Sequence, residues 1–247
     1  MPGPGGVALT DVTIYGDAFA YKPVSSEFSA AGERAAVQAT VFGSGGAHEW
    51  AKGLEDVTAT LAGNWGSATT GGVDEELWLA HQQDGERLWT VSMAETATQP
   101  AWAFKAAQMG YGSPAGKLGE LGAFEAALAG KGGYGLLRGQ LAKPKSAVAA
   151  TGQLGSVVTL GAPITGQRLF AILHVFTPPA SITVQVQSDD NAGMTSPTVR
   201  GTIGPITAAG ATFMTPLAGP LPGEQFFRMN VSALTGTGEV AGFLAVV

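Results

Sequence analysis

The sequence predicts a mainly β protein, a run of short strands in two consecutive domains with one short helix in the first. Three observations predict it. In Ile182-Thr183-Val184-Gln185-Val186-Gln187 the apolar residues fall on one face and Thr183, Gln185 and Gln187 on the other, the period-2 signature of a half-buried strand. Residues 168–176 are apolar at both parities, as in a strand covered on both faces. Residues 149–247 carry about seven short apolar runs punctuated by Gly, Pro and Asp-Asp-Asn turn signals, which suits a β-sandwich of jelly-roll or immunoglobulin-like type.

In chain order, the strand candidates of the first half are residues 7–19, 34–42, 54–63, 87–93 and 101–109. One helix interrupts them, with Asp74 as N-cap, Glu75 and Glu76 in the first turn, Leu77, Trp78 and His81 at helical spacing, and a stop at Gly85. Residues 110–119 read as a hairpin loop. In residues 117–130, Leu118, Leu121, Phe124 and Leu128 recur near the helical period, while Gly119 and Gly122 weaken a helix. Residues 132–141 return to strand, and 143–147, Lys-Pro-Lys-Ser-Ala, read as a hinge. The domains are thus 1–148 and 149–247. In the second, residues 157–160, 198–203, 212–217, 225–231 and 240–247 complete the strands.

Composition narrows the function. Of 247 residues 45% are apolar, only 13% are charged and 37 are Gly. A surface so poor in charge favours association, so the chain reads as a subunit of an assembly. Net charge is −6, with 10 Lys+Arg against 15 Asp+Glu in residues 1–150 and 3 against 4 afterwards. Without a basic run, binding to nucleic acid by phosphate neutralisation is disfavoured. There is no Cys, hence no disulfide, thiolate nucleophile or Cys-held zinc. The first residues lack a charged and apolar leader and no stretch approaches a membrane span, so the expectation is a soluble product made in the cytoplasm.

Chemistry-bearing clusters are few. The three histidines, His48 in a Gly-rich loop, His81 on the helix and His174 in an apolar strand, read as surface, helix-face and hydrogen-bonded core residues. No Gly-x-Ser-x-Gly elbow occurs. Asp189, Asp190 and Asn191 are candidate calcium ligands, although a strand-connecting turn needs the same residues. Glu55-Asp56 and Asp74-Glu75-Glu76 are adjacent acids, more simply explained by helix-start and surface roles than by glycosidase chemistry. Trp50, Trp65, Trp78, Trp89 and Trp102, spread one per element, read mainly as core, with one or two as interface anchors.

Several segments together resemble the major tail tube proteins of bacteriophages with long non-contractile tails. They are Asp11-Val12-Thr13-Ile14, residues 39–43, His48-Glu49-Trp50, the alternating strand at 52–63, the acid-started helix at 74–81, Ala101-Trp102-Ala103-Phe104-Lys105-Ala106, residues 116–126, and Leu136-Leu137-Arg138-Gly139. Residues 166–175 and 184–190 resemble an extension carried by some of these proteins. The resemblance implies a tail tube domain of β-sandwich or barrel type, and it makes 117–130 mainly strand against local propensity. It further implies homo-hexameric rings stacked into a conduit for phage DNA, a place in the virion tail, and assembly in the host cytoplasm. Its implied partners are tape measure, tail terminator and distal tail proteins, and DNA passing without specific binding. No cofactor, catalytic residue or membrane insertion belongs to this picture. Gly43, His48 and Trp50 in the loop, and Lys143 and Lys145 in the hinge, are its candidate contacts between rings or subunits. Other classes stand beside it: a carbohydrate- or receptor-binding tail-tip module using Asp189 and Asp190, a trimeric capsid decoration or head-fibre protein, and, weakest, a glycan-cleaving enzyme.

Overall fold

Sixteen strands and a single helix make up the regular structure of the described residues, 11–38, 50–65, 72–83, 85–115 and 121–247, in a computed structural model. The mainly β expectation therefore holds. Gly43 and His48, and the glycine-rich stretches at 43–46 and 67–71, lie outside the described residues. The chain forms two compact units. Unit 1 comprises residues 1–22, 88–103 and 137–247; unit 2 comprises 23–87 and 104–136. Unit 2 thus falls wholly within residues 1–148, and 149–247 falls wholly within unit 1.

Unit 1 is built on two sheets. The larger has strands β13 (Gly210–Phe213), β10 (Arg168–Thr177), β16 (Gly238–Val246), β8 (Leu137–Val148), the start of β6 (Pro100–Ala115), β5 (Arg87–Ser92), β1 (Thr13–Gly16) and β2 (Phe19–Ala20) in that order, with β14 (Leu217–Ala218) also on β10. The smaller runs β12 (Thr198–Ile206), β11 (Ser181–Asp189), β15 (Phe226–Thr235) and β9 (Gly152–Thr159). Ile182, Val184 and Val186 of β11 point inward as their alternation requires. They meet Phe227 and Met229 of β15 and Leu169, Ala171, Leu173 and Val175 of β10 in the sandwich core. The alternate residues Phe170 and Ile172 belong to a second core with Tyr15, Leu88, Ala101, Leu141 and Phe243. One face of one sheet can gather residues of β1, β5, β6, β8, β10 and β16 into a cluster only by curling on itself. Both parities of β10 are consequently buried, as its sequence predicts.

Unit 2 has strands β3 (Ser25–Gln38), β4 (Trp50–Asn64), β7 (Ala123–Gly130) and the remainder of β6, paired β3-β4-β7-β6, with helix α1 (Val73–Gln82). Phe124, Ala126 and Leu128 are buried and Ala123, Glu125 and Ala127 exposed, so 123–130 is a strand despite its helical-looking spacing. Its pairing with β4 and β6 on both edges overrides the weak local preference.

Five readings need correction. The N-cap of α1 is Gly72, and Asp74 lies inside the first turn with Glu75 and Glu76; the helix ends at Gln82, ahead of Gly85. Residues 143–147 are strand, since Lys143, Ser146 and Ala147 pair with Gly242, Val240 and Glu239 of β16. Pro144 is tolerated because the register shifts there, and a bulge spares the N–H that proline lacks. Residues 110–115 continue β6 past a second shift between Gln108 and Gly110, which is where a glycine in a strand belongs. Residues 132–136 form a connection with Gly132, Gly133 and Gly135 at positive φ, and the strand begins only at Leu137.

Candidate assembly surface

Directly opposed residues of antiparallel strands share a face, so register sorts unit 2 into two surfaces. On one, Phe28 opposes Leu61, Leu61 opposes Ala126, Ala59 opposes Leu128 and Gly63 opposes Phe124. Val57, Ala59, Leu61, Phe124, Ala126 and Leu128 are buried there. Helix α1 covers this face: Gln108, opposite Leu128, donates from Nε2 to the Leu77 carbonyl at 3.0 Å, and Val73, Leu77 and Ala80 are buried.

The other surface is small and acidic. Its rows are Glu27–Ala62–Glu125, Ser29–Thr60–Ala127, Ala31–Thr58–Ala129 and Glu33–Asp56. Glu27, Glu33, Asp56 and Glu125 are all exposed, and the rows themselves hold no Lys or Arg, while Lys105 and Lys131 lie with Asp56 around a pocket at their end. The Ser29 and Thr60 hydroxyls hydrogen-bond each other at 2.7 Å, tying β3 to β4 across the face. Among the described residues β3 pairs with β4 alone. Its outer edge thus has no strand partner among the described residues, and residues 31–36 are exposed at both parities.

The adjacent acids are not paired sites. Glu55 and Asp56 point to opposite faces. Glu55 accepts from the Leu136 N–H at 2.9 Å and from Arg34 Nε at 2.8 Å. The Leu136 N–H, and after it Arg34, hold the Glu55 carboxyl below its ordinary range against the opposing effect of burial. In α1, Asp74 accepts from the Tyr111 hydroxyl and Glu76 pairs with Arg87 at 3.2 Å. Among the described residues no three His, Asp or Glu converge as a metal-ligand set.

In unit 1, His174 is fully buried in the curled interior of the larger sheet. A carbonyl only accepts, so Nδ1 must donate to the Asp17 carbonyl at 2.8 Å, and Nε2 then accepts from the Thr90 hydroxyl at 2.8 Å. Burial drives its pKa down to about 4, opposed by the Asp17 bond. This is a hydroxyl against a correctly protonated base, but both groups are wholly buried, and the arrangement acts as a structural tie. Tyr15 lies beside it, with its hydroxyl accepting from the Lys145 N–H at 2.9 Å and pushed up to about 12 by burial.

Trp50 opens β4, opposite Gln38. Lys143 is only 8% exposed, and its Nζ bonds the Ser146 hydroxyl at 2.5 Å. The Lys145 Nζ lies 4.8 Å from the Phe176 ring centroid and 3.6 Å from Glu239. Asp189 organises a turn: its carboxylate accepts from the N–H of Ser196 at 2.8 Å and of Asn191 at 3.2 Å, while Asn191 accepts from Gly193. These bonds, the Ser196 N–H first, hold the Asp189 carboxyl low, and the neighbouring Asp190, hydrogen-bonded to Asp189 and repelled by its charge, is raised. Of the tryptophans, Trp89 is buried and stacked on Tyr21 at 5.3 Å, whereas Trp78 is 47% exposed, meeting Tyr111 edge-on. Sequence spacing could not separate them, because both sit one per element.

Fold and surface together define a β-rich chain with one helix-backed acidic sheet and one sandwich. No family model matches it, and no curated protein matches it. Among solved structures it is similar to a chain in the virion of the native gene transfer agent particle, at 17% identity over 53% of this chain and 97% of that one, TM-score 0.42. It is also similar to a chain in the tail of the empty gene transfer agent particle of C6 symmetry, at 16% identity over 46% and 80%, TM-score 0.36. A third is the Dit protein of phage SPP1, described as a hub of the adsorption apparatus of phages that infect Gram-positive bacteria, at 10% identity over 96% and 99%, TM-score 0.33. No helix of the described residues is long and apolar enough to cross a membrane.

Proposed function

We propose that this chain is a structural subunit of a phage tail, and specifically a tail tube protein whose copies close into rings, hexameric by the sequence resemblance, that stack into a DNA conduit. The observation that carries the reading is the exposed face of β3, β4 and β7, where Glu27, Glu33, Asp56 and Glu125 stand among Ser, Thr and Ala, with Lys105 and Lys131 only at the Asp56 end. Such a wall repels phosphates and its acidic rows give them no Lys or Arg to bind in exchange for the counterions of DNA, so the duplex slides without sticking. The outer edge of β3, without a strand partner among the described residues, supports the same reading, because an exposed long edge is a template for strand addition and ring closure removes it. Residues 1–148 supply the tube part in this proposal, and the sandwich completed by 149–247 belongs outside the conduit. Tape measure, terminator and distal tail proteins are the further partners, and the virion tail is the place of action.

The test is negative-stain electron microscopy of the full chain at rising concentration, with its mass in solution, and with sheared tail fragments added as seeds. Rings or hollow tubes are expected. A monomer that persists with seeds refutes the reading, and a trimer points instead to a capsid decoration. Tubes of the triple variant Glu33→Lys, Asp56→Lys, Glu125→Lys are expected to retain duplex DNA at low salt, where wild-type tubes do not. Equal retention removes the lumen assignment.

A further inference from the structure

The outer face of the smaller sheet of unit 1 is an ordered polar array. Register sets Thr202, Gln185, Asn230 and Gln153 in one row across β12, β11, β15 and β9. Beside it Gln187 opposes Arg228. Arg228 Nε donates to Gln187 Oε1 at 2.8 Å, and Gln187 Nε2 donates to Gln185 Oε1 at 3.3 Å. A guanidinium only donates, so the direction of this relay is fixed: Gln187 turns its oxygen to Arg228 and its NH2 to Gln185. Gln185 then gives its oxygen to the relay and presents its NH2 outward. Gln187 is 8% exposed, which holds the relay in place beneath the surface. At the far end of the row, Gln153 donates from Nε2 to the Gly155 carbonyl at 3.0 Å, which leaves its oxygen to accept.

The row therefore mixes oriented donors and acceptors, contains no acid, and has Arg228 as its one flanking cation. Strands lie about 4.8 Å apart, close to the advance of an extended polysaccharide per sugar ring. A glycan laid across the strands would meet one amide or hydroxyl at each ring, and side chains fixed beforehand lose less freedom on binding. We infer that this face is a binding site for a neutral polysaccharide, with Gln185 and Asn230 at its centre and Gln153 and Thr202 at its ends. The site goes beyond the tail proposal and does not depend on it.

The test uses the full-length protein in affinity electrophoresis through gels containing dextran, laminarin or galactomannan, with hyaluronate as the anionic comparison. At least one neutral polymer is expected to retard the protein. The double variant Gln185→Ala, Asn230→Ala is expected to weaken that retardation by about tenfold or more, the scale of losing hydrogen bonds in a formed site. Gln82→Ala, at the exposed end of α1, is expected to change nothing. Should the double variant unfold, the exposed pair Gln153→Ala, Thr202→Ala is read in its place. No retardation by any neutral polymer overturns the proposal, as does retardation that survives the substitutions. Retardation by hyaluronate alone, lost in Arg228→Gln, also overturns it.

Discussion

Acid should destabilise this protein through His174 before its carboxylates matter. The imidazole is fully buried and neutral, donating from Nδ1 to Asp17 and accepting from Thr90 at Nε2, with a pKa lowered from 6.5 to about 4. The unfolded chain takes up the proton below pH 6.5, whereas the folded chain resists until about pH 4. This contribution to stability is thus complete above pH 6.5 and lost as the pH falls toward 4. The shift corresponds to about 3 kcal/mol of stability lost across that window. Urea unfolding of the wild type and of His174→Gln at pH 7 and pH 4 reads it directly. The variant should be less stable at neutral pH by about 1 to 3 kcal/mol, since it disturbs a buried pair of hydrogen bonds. It should lose about 3 kcal/mol less than the wild type on acidification. Carboxylates such as Glu55 and Asp11, held low by their partners, titrate alike in both proteins and cancel in the comparison. Parallel loss of stability in the two proteins would refute the assignment.

Three further outcomes test the packing. Phe227→Ala, at a fully buried ring in the sandwich core, should cost about 3 to 5 kcal/mol by calorimetry or urea unfolding; a loss under 1 kcal/mol would mean the two sheets do not share that core. Gly63→Ala should destabilise strongly, because the added carbon would meet the Val24 carbonyl and Ser25 backbone, while Gly85→Ala meets nothing and should leave the melting temperature nearly unchanged. Trp78→Ser, at a half-exposed ring, should preserve stability and raise the concentration at which the chain associates in sedimentation experiments; an unchanged association curve would remove Trp78 as an anchor.

How far the fold was legible depended on how strongly each element signals itself. β11 and β10 announce their faces by strict alternation and by its absence; β10 is buried at both parities and Ile182, Val184 and Val186 of β11 are buried as those patterns require, while Gln187 is buried against its alternation. The strand at 123–130 was legible only through resemblance, since Leu121, Phe124 and Leu128 also fit a helix and pairing on two edges decides the matter. The Lys-Pro-Lys stretch misleads because a bulge opposite β16 absorbs the proline, and a bulge leaves no mark in sequence. The first part of β3, Ser25 to Glu33, escapes because its alternation is of Ser, Ala and Glu, too polar to stand out. The acidic face was invisible for a related reason: Glu27, Asp56 and Glu125 are far apart in the chain, and only register makes them neighbours.

Strand β10 serves two masters within unit 1. Leu169, Ala171, Leu173 and Val175 belong to one core and Phe170 and Ile172 to the other, and β16 divides in the same way, with Val240 and Leu244 on one side and Ala241, Phe243 and Ala245 on the other. Neither interior can loosen by itself, since shifting the shared backbone to relieve one side compresses the other. Amide protons along these two strands should therefore exchange with solvent only when unit 1 opens as a whole. Natural variation should likewise reach those interiors through compensating pairs of changes, because a lone enlargement on either strand has nowhere to push.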